Sequence, residues 1–581
     1  MVMHMTNNSI FQQKLFLGFI NKVTTNFVSA HIPSSRYISK FYFNGEEFHG
    51  GQINSFVIIE GENLGFLGRI ISTELPEKER IEISTEALKE KDFHPLVKIE
   101  ILSCFDYFNM DFKKSISEFP NVGAKIYIAR KQIVNRYIEQ IEFVKHQLKT
   151  NKFASLINSY EAEVDLSLQS IFSRHTAVVG TTGSGKSWTT SNLIINIIEK
   201  NQKAILIDAT GEYKSIAETY NDKTQEIILG QNHHFSYKKL TLEDLLFLVK
   251  PSANSQLPKL KEAIKSLKLI EIASEEIQSY VHTFQQGNRT VIKKNQPKQP
   301  FTQVLNNYIN EVSQDNLNFD IRSLATQIEN ECFWENARNG SNTFGDTENS
   351  SLGFCATLIT RINNLINERQ FNRVFNFTSE NETDDASDLL EQFVNENTKC
   401  LFYIDLSDLP FAFNIREVVA NSIGRMLLSY AREDKFTSKP TVLIVDEAHQ
   451  FLNKTVNNDY ESFKMEAFDN ISKEGRKYGL FLCICTQLPR DIPIGTLSQI
   501  GTFLVHRLIN QRDKEIVINA MPSANSDIIS YLPELGQGEL IVSSSEIKVP
   551  LILKVKKPSV EPDSNTPVFR MEEGERQNGE Q

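Results

Sequence analysis

The sequence offers almost nothing of what marks a membrane protein, a secreted protein or a metal cluster. No apolar run approaches the roughly 18 residues that span a bilayer, and residues 1–11 lack the basic-then-apolar pattern of a signal peptide. The six cysteines include no CxxC pair, and Cys483 and Cys485 alternate within an apolar run, which is typical of buried structural thiols rather than metal ligands. We therefore expect a cytoplasmic protein with neither a disulfide framework nor a membrane partner.

A surplus of positive charge is also missing. The 581 residues carry 73 acidic and 62 basic side chains, a net charge of −11. This excludes a surface coated with basic side chains for nucleic acid. A locally basic channel remains compatible with this net charge, because electrostatic steering depends on the local potential rather than on the total charge. The length predicts roughly three to five domains, and 40% apolar with 23% charged residues is ordinary for a globular protein.

The segment from His175 to Ser187 has the pattern of a phosphate-binding loop between a strand and a helix. Its glycines let successive backbone N–H groups turn towards phosphate oxygens, and the helix N-terminus adds the positive end of its dipole. Lys186 would reach the β- and γ-phosphates of ATP, and Ser187 would bind Mg²⁺. The alternative is a glycine-rich turn that binds nothing, and the strand–loop–helix context favours the P-loop. The predicted nucleotide-binding residues are Gly180, Thr181, Thr182, Gly183, Ser184, Gly185, Lys186 and Ser187.

Three further apolar runs end in polar side chains that suit the same chemistry. Asp208 and Asp446 each end a run typical of a buried parallel strand, and ligands bind at the carboxyl ends of such strands. Asp446 would hold Mg²⁺, Glu447 would polarise the attacking water, and Asp208 would lie beside the phosphates. Gln487, at the end of the third run, fits a sensor of the γ-phosphate. The alternatives are a strand-end capping pair for Asp446 and Glu447 and a turn before a proline for Gln487.

The rest of the chain predicts an α/β architecture, a RecA-like P-loop ATPase core with a small N-terminal β-barrel and a helical insertion. Short apolar runs broken by glycine turns predict the barrel, and no catalytic cluster stands out in it. The predicted division is a barrel at 1–130, a helical connector at 131–170, a core at 171–238 and 400–556, a helical insertion at 239–399, and a flexible tail at 557–581.

Taken together, these motifs resemble the HerA family, hexameric DNA translocases related to FtsK-type motors. The matching segments are Gly180 to Ser187, Asp208-Ala-Thr-Gly-Glu-Tyr213, Asp446-Glu-Ala-His449, Glu474-Gly-Arg-Lys477, and Leu497 to Arg507 with Asp513. The P-loop alone is unspecific, whereas the combination is much more specific. The resemblance covers most of the chain except the insertion and the extreme tail.

The resemblance implies ATP and Mg²⁺ as cofactors and gives several residues a role. Lys186 and Ser187 would bind nucleotide and Mg²⁺, and Glu447 would activate water. Asp208 lies where the family has an acid near the nucleotide. Arg476 matches an arginine expected to reach the ATP of a neighbouring subunit, and Arg174 also matches a functional position, which makes both catalytic candidates. Arg507 is a second candidate for the arginine in trans, and a surface salt bridge remains the alternative for any one arginine.

The implied function is a hexameric ATP-driven translocase or helicase on double-stranded DNA, in DNA end processing or antiphage defence. The resemblance also implies a partner, a nuclease or a sirtuin-like effector docked on the N-terminal barrel. No nuclease or NAD-binding constellation stands out in this sequence itself. An ATP-dependent ring scaffold that regulates a toxic effector without translocating is the main alternative. An ATPase of a secretion apparatus fits less well. An RNA helicase is set aside, because its acid pair would follow the P-loop after a much shorter interval than the 446 − 186 = 260 residues here, and the sequence given after Ile500 is too short for the expected second RecA-like domain.

Overall fold

The computed structural model describes most of the chain, in residues 10–25, 27–76, 93–113, 118–140, 148–151, 153–157, 163–284, 289–294, 296–337, 342–378, 383–452, 455–457, 462–522, 530–545, 547 and 550–564. Within these residues, no helix combines the length and the hydropathy needed to cross a bilayer. All six cysteines are buried free thiols, as predicted. The described residues divide into two compact units, one within residues 1–196, 487–490 and 500–559, the other within 197–486, 491–499 and 560–581. The domain boundaries predicted from the sequence pattern divide the chain differently from these two units, and they stay predictions.

The first unit begins with a β-barrel. In its described part, six strands close in the order β2-β1-β9-β5-β6-β7, because β2 also pairs with β7. β8 extends β7, and β3 and β4 form a separate hairpin that the sequence pattern did not predict. The bounds are β1 Phe16–Val23, β2 Val28–His31, β3 Lys40–Phe43, β4 Glu46–His49, β5 Phe56–Ile59, β6 Leu64–Glu74, β7 Leu96–Asp106, β8 Phe112–Lys113 and β9 Lys125–Ile128. The predicted small barrel is thus confirmed.

A buried arginine, Arg69, forms an ion pair within the barrel and a hydrogen bond to the C-terminal part of the same unit. Arg69 on β6 donates to Oε2 of Glu100 on β7 at 2.9 Å and to the carbonyl of Pro550 at 2.9 Å. Both side chains are almost fully buried, with 3% of Arg69 and 8% of Glu100 exposed. Breaking such a pair from one side leaves an uncompensated charge away from water, which is far more costly than the pair itself is stabilising.

We expect Arg69→Ala to lower the free energy of unfolding of the first unit by about 3–5 kcal/mol. Differential scanning calorimetry of the full chain measures the effect. Replacing Arg69 by Met together with Glu100→Gln is the matched control, since it removes both charges and should recover much of the loss. A transition in Arg69→Ala that coincides with that of the unchanged protein contradicts this assignment.

The remainder of the first unit contains a mixed sheet that includes the strand before the predicted P-loop. Its strands lie in the order β11-β10-β26-β25-β24-β12, with β24 parallel to β12 and the others antiparallel. The strand bounds are β10 Ala154–Leu156, β11 Glu163–Val164, β12 His175–Val179, β24 Ile500–Val505, β25 Glu539–Ser544 and β26 Leu551–Val555. The helices are α1 Lys131–Gln140, α2 Leu168–Phe172, α3 Lys186–Glu199, which starts in this unit, and α16 Gln511–Ala520.

The predicted helical connector at 131–170 needs a correction. α1 occupies its start, and residues 141–147 lie outside the described residues. β10 and β11, however, are strands, because Ala154 and Leu156 alternate inwards and pair with the C-terminal β26. A partner about 400 residues away in the chain leaves no local trace in the sequence around residue 155.

The second unit has a parallel sheet in the order β23-β20-β13-β19-β14. Its central strands are fully buried apolar runs, as expected for a sheet covered on both faces. The strands are β13 Lys203–Asp208, β14 Thr224–Ile228, β19 Leu401–Asp405, β20 Thr441–Val445 and β23 Leu480–Thr486. The helices beside them are α4 Lys214–Thr219, α13 Ile415–Arg432, α14 Ala467–Glu474 and α15 Ile494–Leu497. With the P-loop strand and helix of the first unit, this confirms the predicted α/β class.

Between β14 and β19 the chain is mainly helical, as predicted for the insertion. The helices are α5 Leu242–Val249, α6 Gln256–Ala273, α7 Lys298–Asn307, α8 Ile309–Val312, α9 Leu324–Glu331, α10 Asn349–Asn367, α11 Arg369–Phe375 and α12 Ala386–Asn395. Short strand pairs accompany them: β15 His233–His234 with β18 Asp384–Asp385, and β16 Val281–Phe284 with β17 Arg289–Ile292. A further pair, β21 Thr455–Asn457 with β22 Ser462–Lys464, follows β20.

Part of the predicted flexible tail is packed. Within the second unit, the backbone N–H of Asp563 donates to the carbonyl of Glu212 at 2.7 Å, and the hydroxyl of Ser215 donates to the carbonyl of Glu561 at 2.8 Å. Residues 560–564 therefore lie along the loop that follows β13. The predicted tail beyond residue 564 lies outside the described residues.

Candidate functional site

The P-loop lies in the first unit, between the fully buried strand β12 and the start of α3 at Lys186. Gly183 has a φ of +72° and Gly185 a φ of +110°, a conformation that L side chains rarely adopt. A Cβ on Gly185 would lie 2.8 Å from both the N and Cα atoms of Gly538. The motif therefore requires glycine at Gly185 for its backbone conformation and for the close approach of a second chain segment.

Lys186 and Gln487 both contact this loop. The Lys186 ammonium, with 9% of the residue exposed, donates to the carbonyl of Thr181 at 3.3 Å. The hydroxyl of Thr182 donates to Oε1 of Gln487 at 2.6 Å. The first unit thus brings together Lys186, the loop hydroxyls and Gln487, whose predicted role as a γ-phosphate sensor stays a prediction. Ser187, the predicted Mg²⁺ ligand, is the second residue of α3.

A buried histidine, His506, packs against the P-loop. The sequence pattern did not predict its role. His506 is 0% exposed, and its Nδ1 lies 2.9 Å from the carbonyl of Glu539 while its Nε2 lies 2.8 Å from Oγ1 of Thr189 on α3. Burial, together with the charge of Lys186, lowers the pKa of His506 to about 3. The ring is therefore neutral, and because a carbonyl can only accept, Nδ1 carries the proton and Nε2 accepts from Thr189.

The two glycines that flank the loop approach the same ring. A Cβ on Gly180 would lie 2.5 Å from Cβ of His506, and one on Gly185 would lie 3.4 Å from its Cε1. The backbone N–H of His506 also donates to the carbonyl of Val179 at 2.7 Å. His506 therefore fixes the spacing between β12, the loop and α3.

We expect His506→Ala to raise the Kd for ATP, because Thr189 and Glu539 each lose a hydrogen-bond partner in a buried place, at a cost of about 1–3 kcal/mol per group. Equilibrium binding of a fluorescent ATP analogue measures the Kd. Thr189→Val is the matched control, since it removes one of the two bonds and should give an intermediate Kd. A folded His506→Ala protein with an unchanged Kd contradicts this role.

The two arginines predicted in the first unit take different positions. Arg174 is exposed, and its aliphatic stem crosses Gly501, where a Cβ would lie 2.4 Å from Cβ and Cδ of Arg174. The carbonyl of Arg507 accepts from the backbone N–H of Thr181 at 3.0 Å and from its hydroxyl at 3.2 Å. Arg507 therefore supports the P-loop through its backbone, whereas Arg174 presents its side chain to solvent.

The predicted acids lie in the second unit, at the carboxyl ends of the neighbouring parallel strands β13 and β20. Oδ1 of Asp208 accepts from the N–H groups of Thr210 at 3.0 Å and Gly211 at 2.8 Å and from the Thr210 hydroxyl at 3.3 Å. Its Oδ2 accepts from the N–H of Tyr213 at 3.0 Å and the hydroxyl of Tyr403 at 3.1 Å. Burial nevertheless raises the pKa of Asp208. These bonds saturate the carboxylate, so Asp208 holds its own loop in shape instead of offering free oxygens.

Asp446 is in a different situation. It is 6% exposed, and burial raises its pKa well above the ordinary value, while the nearby acids Asp208, Glu447 and Glu212 raise it further. A cation bound beside these acids would favour their charged forms and so offset the cost of their burial. Its oxygen donors fit Mg²⁺, while the described residues contain no group of three or more metal-ligating side chains. A Mg²⁺ ion here would take most ligands from phosphate oxygens and water, as this ion usually does.

Glu447 has a strained backbone. Its φ of 43° and ψ of 47° are left-handed, a conformation that costs a non-glycine residue about 1–3 kcal/mol. Its Oε2 is buried without a hydrogen-bond partner among the described residues, although it lies 3.2 Å from Nδ1 of His449. That nitrogen lies 3.3 Å from Oγ1 of Thr486. Strain and an unpaired buried carboxylate oxygen are features of a side chain held for chemistry rather than for stability.

Arg476 is exposed on a 3-10 turn, Gly475–Tyr478, after α14. The motif residue before this turn, Glu474, pairs with Arg432 at 3.0 Å instead. The structure therefore leaves Arg476 on the surface of its own chain, where an arginine that acts in trans has to be.

A second buried residue that the sequence reasoning missed is Arg416 on α13. It donates to the carbonyls of Ala209 at 3.2 Å, Ser407 at 2.6 Å and Leu409 at 2.8 Å. It thereby joins the loops that follow β13 and β19, and burial lowers its pKa. Its sequence signal is a charged residue next to apolar residues in the first turn of α13.

Comparison with known proteins agrees with these motifs. The family described as "Helicase HerA, central domain" matches residues 152–410. A probable helicase of Methanocaldococcus jannaschii is 25% identical over 520 residues, 87% of this chain and 86% of the relative. The DNA double-strand break repair helicase HerA of Sulfurisphaera tokodaii is 22% identical over 416 residues, 70% of this chain and 69% of the relative.

The solved structures that match parts of this chain include the following two. The structure of VirB4 of Thermoanaerobacter pseudethanolicus is 14% identical, with 66% of this chain and 89% of that chain covered and a TM-score of 0.40. The plasmid coupling protein TrwB in complex with ADP and Mg²⁺ is also 14% identical, with 71% and 93% covered and a TM-score of 0.42.

Proposed function

This chain belongs to the HerA family, and we propose that it works as an ATP-driven motor on double-stranded DNA, assembled as a homo-hexameric ring. It is a P-loop ATPase of the helicase and translocase type. The observation that carries the proposal is Glu447, a strained residue with an unpaired buried carboxylate oxygen next to the acid cluster around Asp446.

Each group has a role that its surroundings support. The P-loop N–H groups and Lys186 would bind the phosphates of ATP, and Gln487 would respond to the γ-phosphate through its bond to Thr182. Ser187 and Asp446 would hold Mg²⁺, which when bound neutralises charge on the phosphates. Glu447 would orient and polarise the attacking water through its carboxylate, one oxygen of which lies 3.2 Å from Nδ1 of His449. Asp208 would act by holding its loop in shape.

Assembly would complete the site. A ring formed by head-to-tail contacts places one face of each subunit against a different face of its neighbour. The exposed Arg476 is suited to reach a neighbour's ATP and stabilise charge in the transition state, so hydrolysis would depend on the ring. Arg174 and Arg507 remain candidates for supporting roles.

We expect Arg476→Ala and Glu447→Ala each to be inactive as pure proteins and to regain ATP hydrolysis when mixed. In a random mixed ring, about one site in four would have an intact Glu447 and an intact Arg476 from its neighbour. Steady-state ATPase rates across mixing ratios measure this. Mixing Arg476→Ala with Lys186→Ala supplies a second rescue test, and activity that never rises in either mixture contradicts a trans role.

The DNA and the effector would be bound by different parts. The ring channel would contact the phosphate backbone largely without sequence preference. For the effector, a nuclease or a sirtuin-like protein, we propose the barrel. It exposes large aromatic side chains, Tyr42 at 68% and Phe108 at 94%, of a kind enriched in protein interfaces. DNA end processing and antiphage defence are the two processes that such a complex would serve.

Displacement of a protein roadblock from linear duplex DNA tests the motor directly. We expect ATP-dependent removal of a tightly bound repressor, and no removal by Glu447→Gln protein of the same oligomeric mass. ATP-dependent assembly of the ring without displacement of the repressor would favour the ring scaffold that organises an effector.

A further inference from the structure

The insertion contains a cavity whose lining residues include none of those assigned to the nucleotide site. Its volume is about 700 Å³, within the range of about 300–1,000 Å³ typical of small-molecule sites. It lies within the second unit, between the first turn of α5, one face of α6 and the chain that follows α8. Its apolar floor is formed by Leu246, Ile264 and Val312, which are at most 4% exposed.

One wall of the cavity is basic. Lys261, Lys265 and Lys268 follow one another at spacings of four and three residues, which places them on one face of α6. Lys268 is 4% exposed and donates to the carbonyl of Gln314. Among the residues that the structure describes, this is its one hydrogen bond, so an ammonium with three donors is held in a buried position with capacity for another acceptor. Burial lowers its pKa, and an anion at this position would offset that cost.

The opposite wall is acidic. Asp315 accepts from the N–H of Leu242 at 2.8 Å and so caps α5, and Glu243 lies beside it. The pKa of Glu243 is raised by partial burial and by the charges of Asp315 and Asp244. A simple anion would be repelled by these carboxylates, and a simple cation would be repelled by the lysines of the opposite wall. A molecule with a phosphate at one end and hydroxyl or amino donors at the other satisfies both walls.

We propose that this cavity binds a small phosphorylated molecule of mononucleotide type, with its phosphate on the lysines of α6, its hydroxyl or amino groups towards Glu243 and Asp315, and its apolar face on Leu246, Ile264 and Val312. The site is separate from the P-loop and does not depend on the function proposed above. It would let a metabolite act on the insertion, the part of the chain between β14 and β19.

Calorimetric titration of AMP into the full chain tests the proposal, with Lys186→Ala present to weaken nucleotide binding at the P-loop. We expect one AMP to bind per chain, in the cavity of the insertion. Replacing Lys261 and Lys265 by Ala should weaken AMP binding about tenfold or more, since each lost charge-assisted hydrogen bond is worth that much. Lys259→Ala is the matched control on the same helix, because Lys259 pairs with Glu262 at 3.1 Å and does not line the cavity.

Two comparisons make the test specific. Pyrophosphate should bind more weakly than AMP, and Glu243→Gln should weaken AMP binding but not pyrophosphate binding. The proposal is overturned if AMP fails to bind at millimolar concentration, if binding survives the double lysine replacement, or if pyrophosphate binds as tightly as AMP. Displacement of AMP by a short DNA duplex would also overturn it, because the lysines would then be a nucleic-acid contact.

Discussion

Glu447→Gln protein is expected to bind ATP and assemble normally while its hydrolysis rate falls about 10²–10⁴-fold, the usual contribution of a general base or water-positioning group. Gln has nearly the same size as Glu and requires the same left-handed backbone conformation at this position. The replacement therefore changes mainly the charge. Single-turnover hydrolysis, with nucleotide binding measured on the same sample, separates the chemical step from binding.

A surface acid provides the matched control for Glu447. Glu218→Gln removes one carboxylate from the same unit, where the residue pairs with Lys214 at 3.9 Å on an exposed face of α4. Its hydrolysis rate should equal that of the unchanged protein. Rapid turnover in Glu447→Gln would show that another residue activates water, and loss of ATP binding would show that the effect is structural.

Lys186→Ala is expected to weaken ATP binding about 10²–10⁴-fold, because it removes two charge-assisted hydrogen bonds to the β- and γ-phosphates, each worth about 1.5–3 kcal/mol. The P-loop backbone should stay in place, since Gly185, His506 and the Thr181–Arg507 bonds hold it independently of the ammonium. Equilibrium titration with an ATP analogue measures the change.

Lys200→Ala, just beyond the end of α3, is the control for charge and helix context, and its Kd should stay that of the unchanged protein. The binding of ADP is a second comparison. Lys186→Ala should lose more affinity for ATP than for ADP, because the contact to the γ-phosphate exists only with ATP. Equal losses for both nucleotides, or no loss at all, would contradict the assigned contact.

The local parts of the architecture could be predicted because their signals are local. β12, β13, β20 and β23 are short apolar runs that end at a glycine loop, an acid or a polar turn. Their shortness and these flanking residues favour a buried parallel strand over a buried helix. The barrel strands could be predicted for a similar reason, because each is a short apolar run bounded by glycine-containing or polar turns. The acids at strand ends followed from the rule that parallel strands present their carboxyl ends to the ligand.

The parts that could not be predicted depend on partners distant in the chain. His506 directly follows a strand as any residue might, and only its approach to Thr189 and Glu539 turns it into a support of the P-loop. Arg416 gains its role from three carbonyls on two loops. β10 is a strand because β26 pairs with it. Asp208 was correctly placed at a strand end, while the hydrogen bonds that saturate it come from the loop's own conformation.

The most direct test of a DNA motor is the ATPase rate as a function of added linear duplex DNA, on protein whose mass in solution is measured in the same buffer. We expect a hexamer whose hydrolysis is strongly stimulated by duplex DNA, with a stimulation that decreases as salt weakens phosphate contacts. A hexamer that hydrolyses ATP at the same rate with and without DNA would contradict the motor and favour an ATP-dependent scaffold.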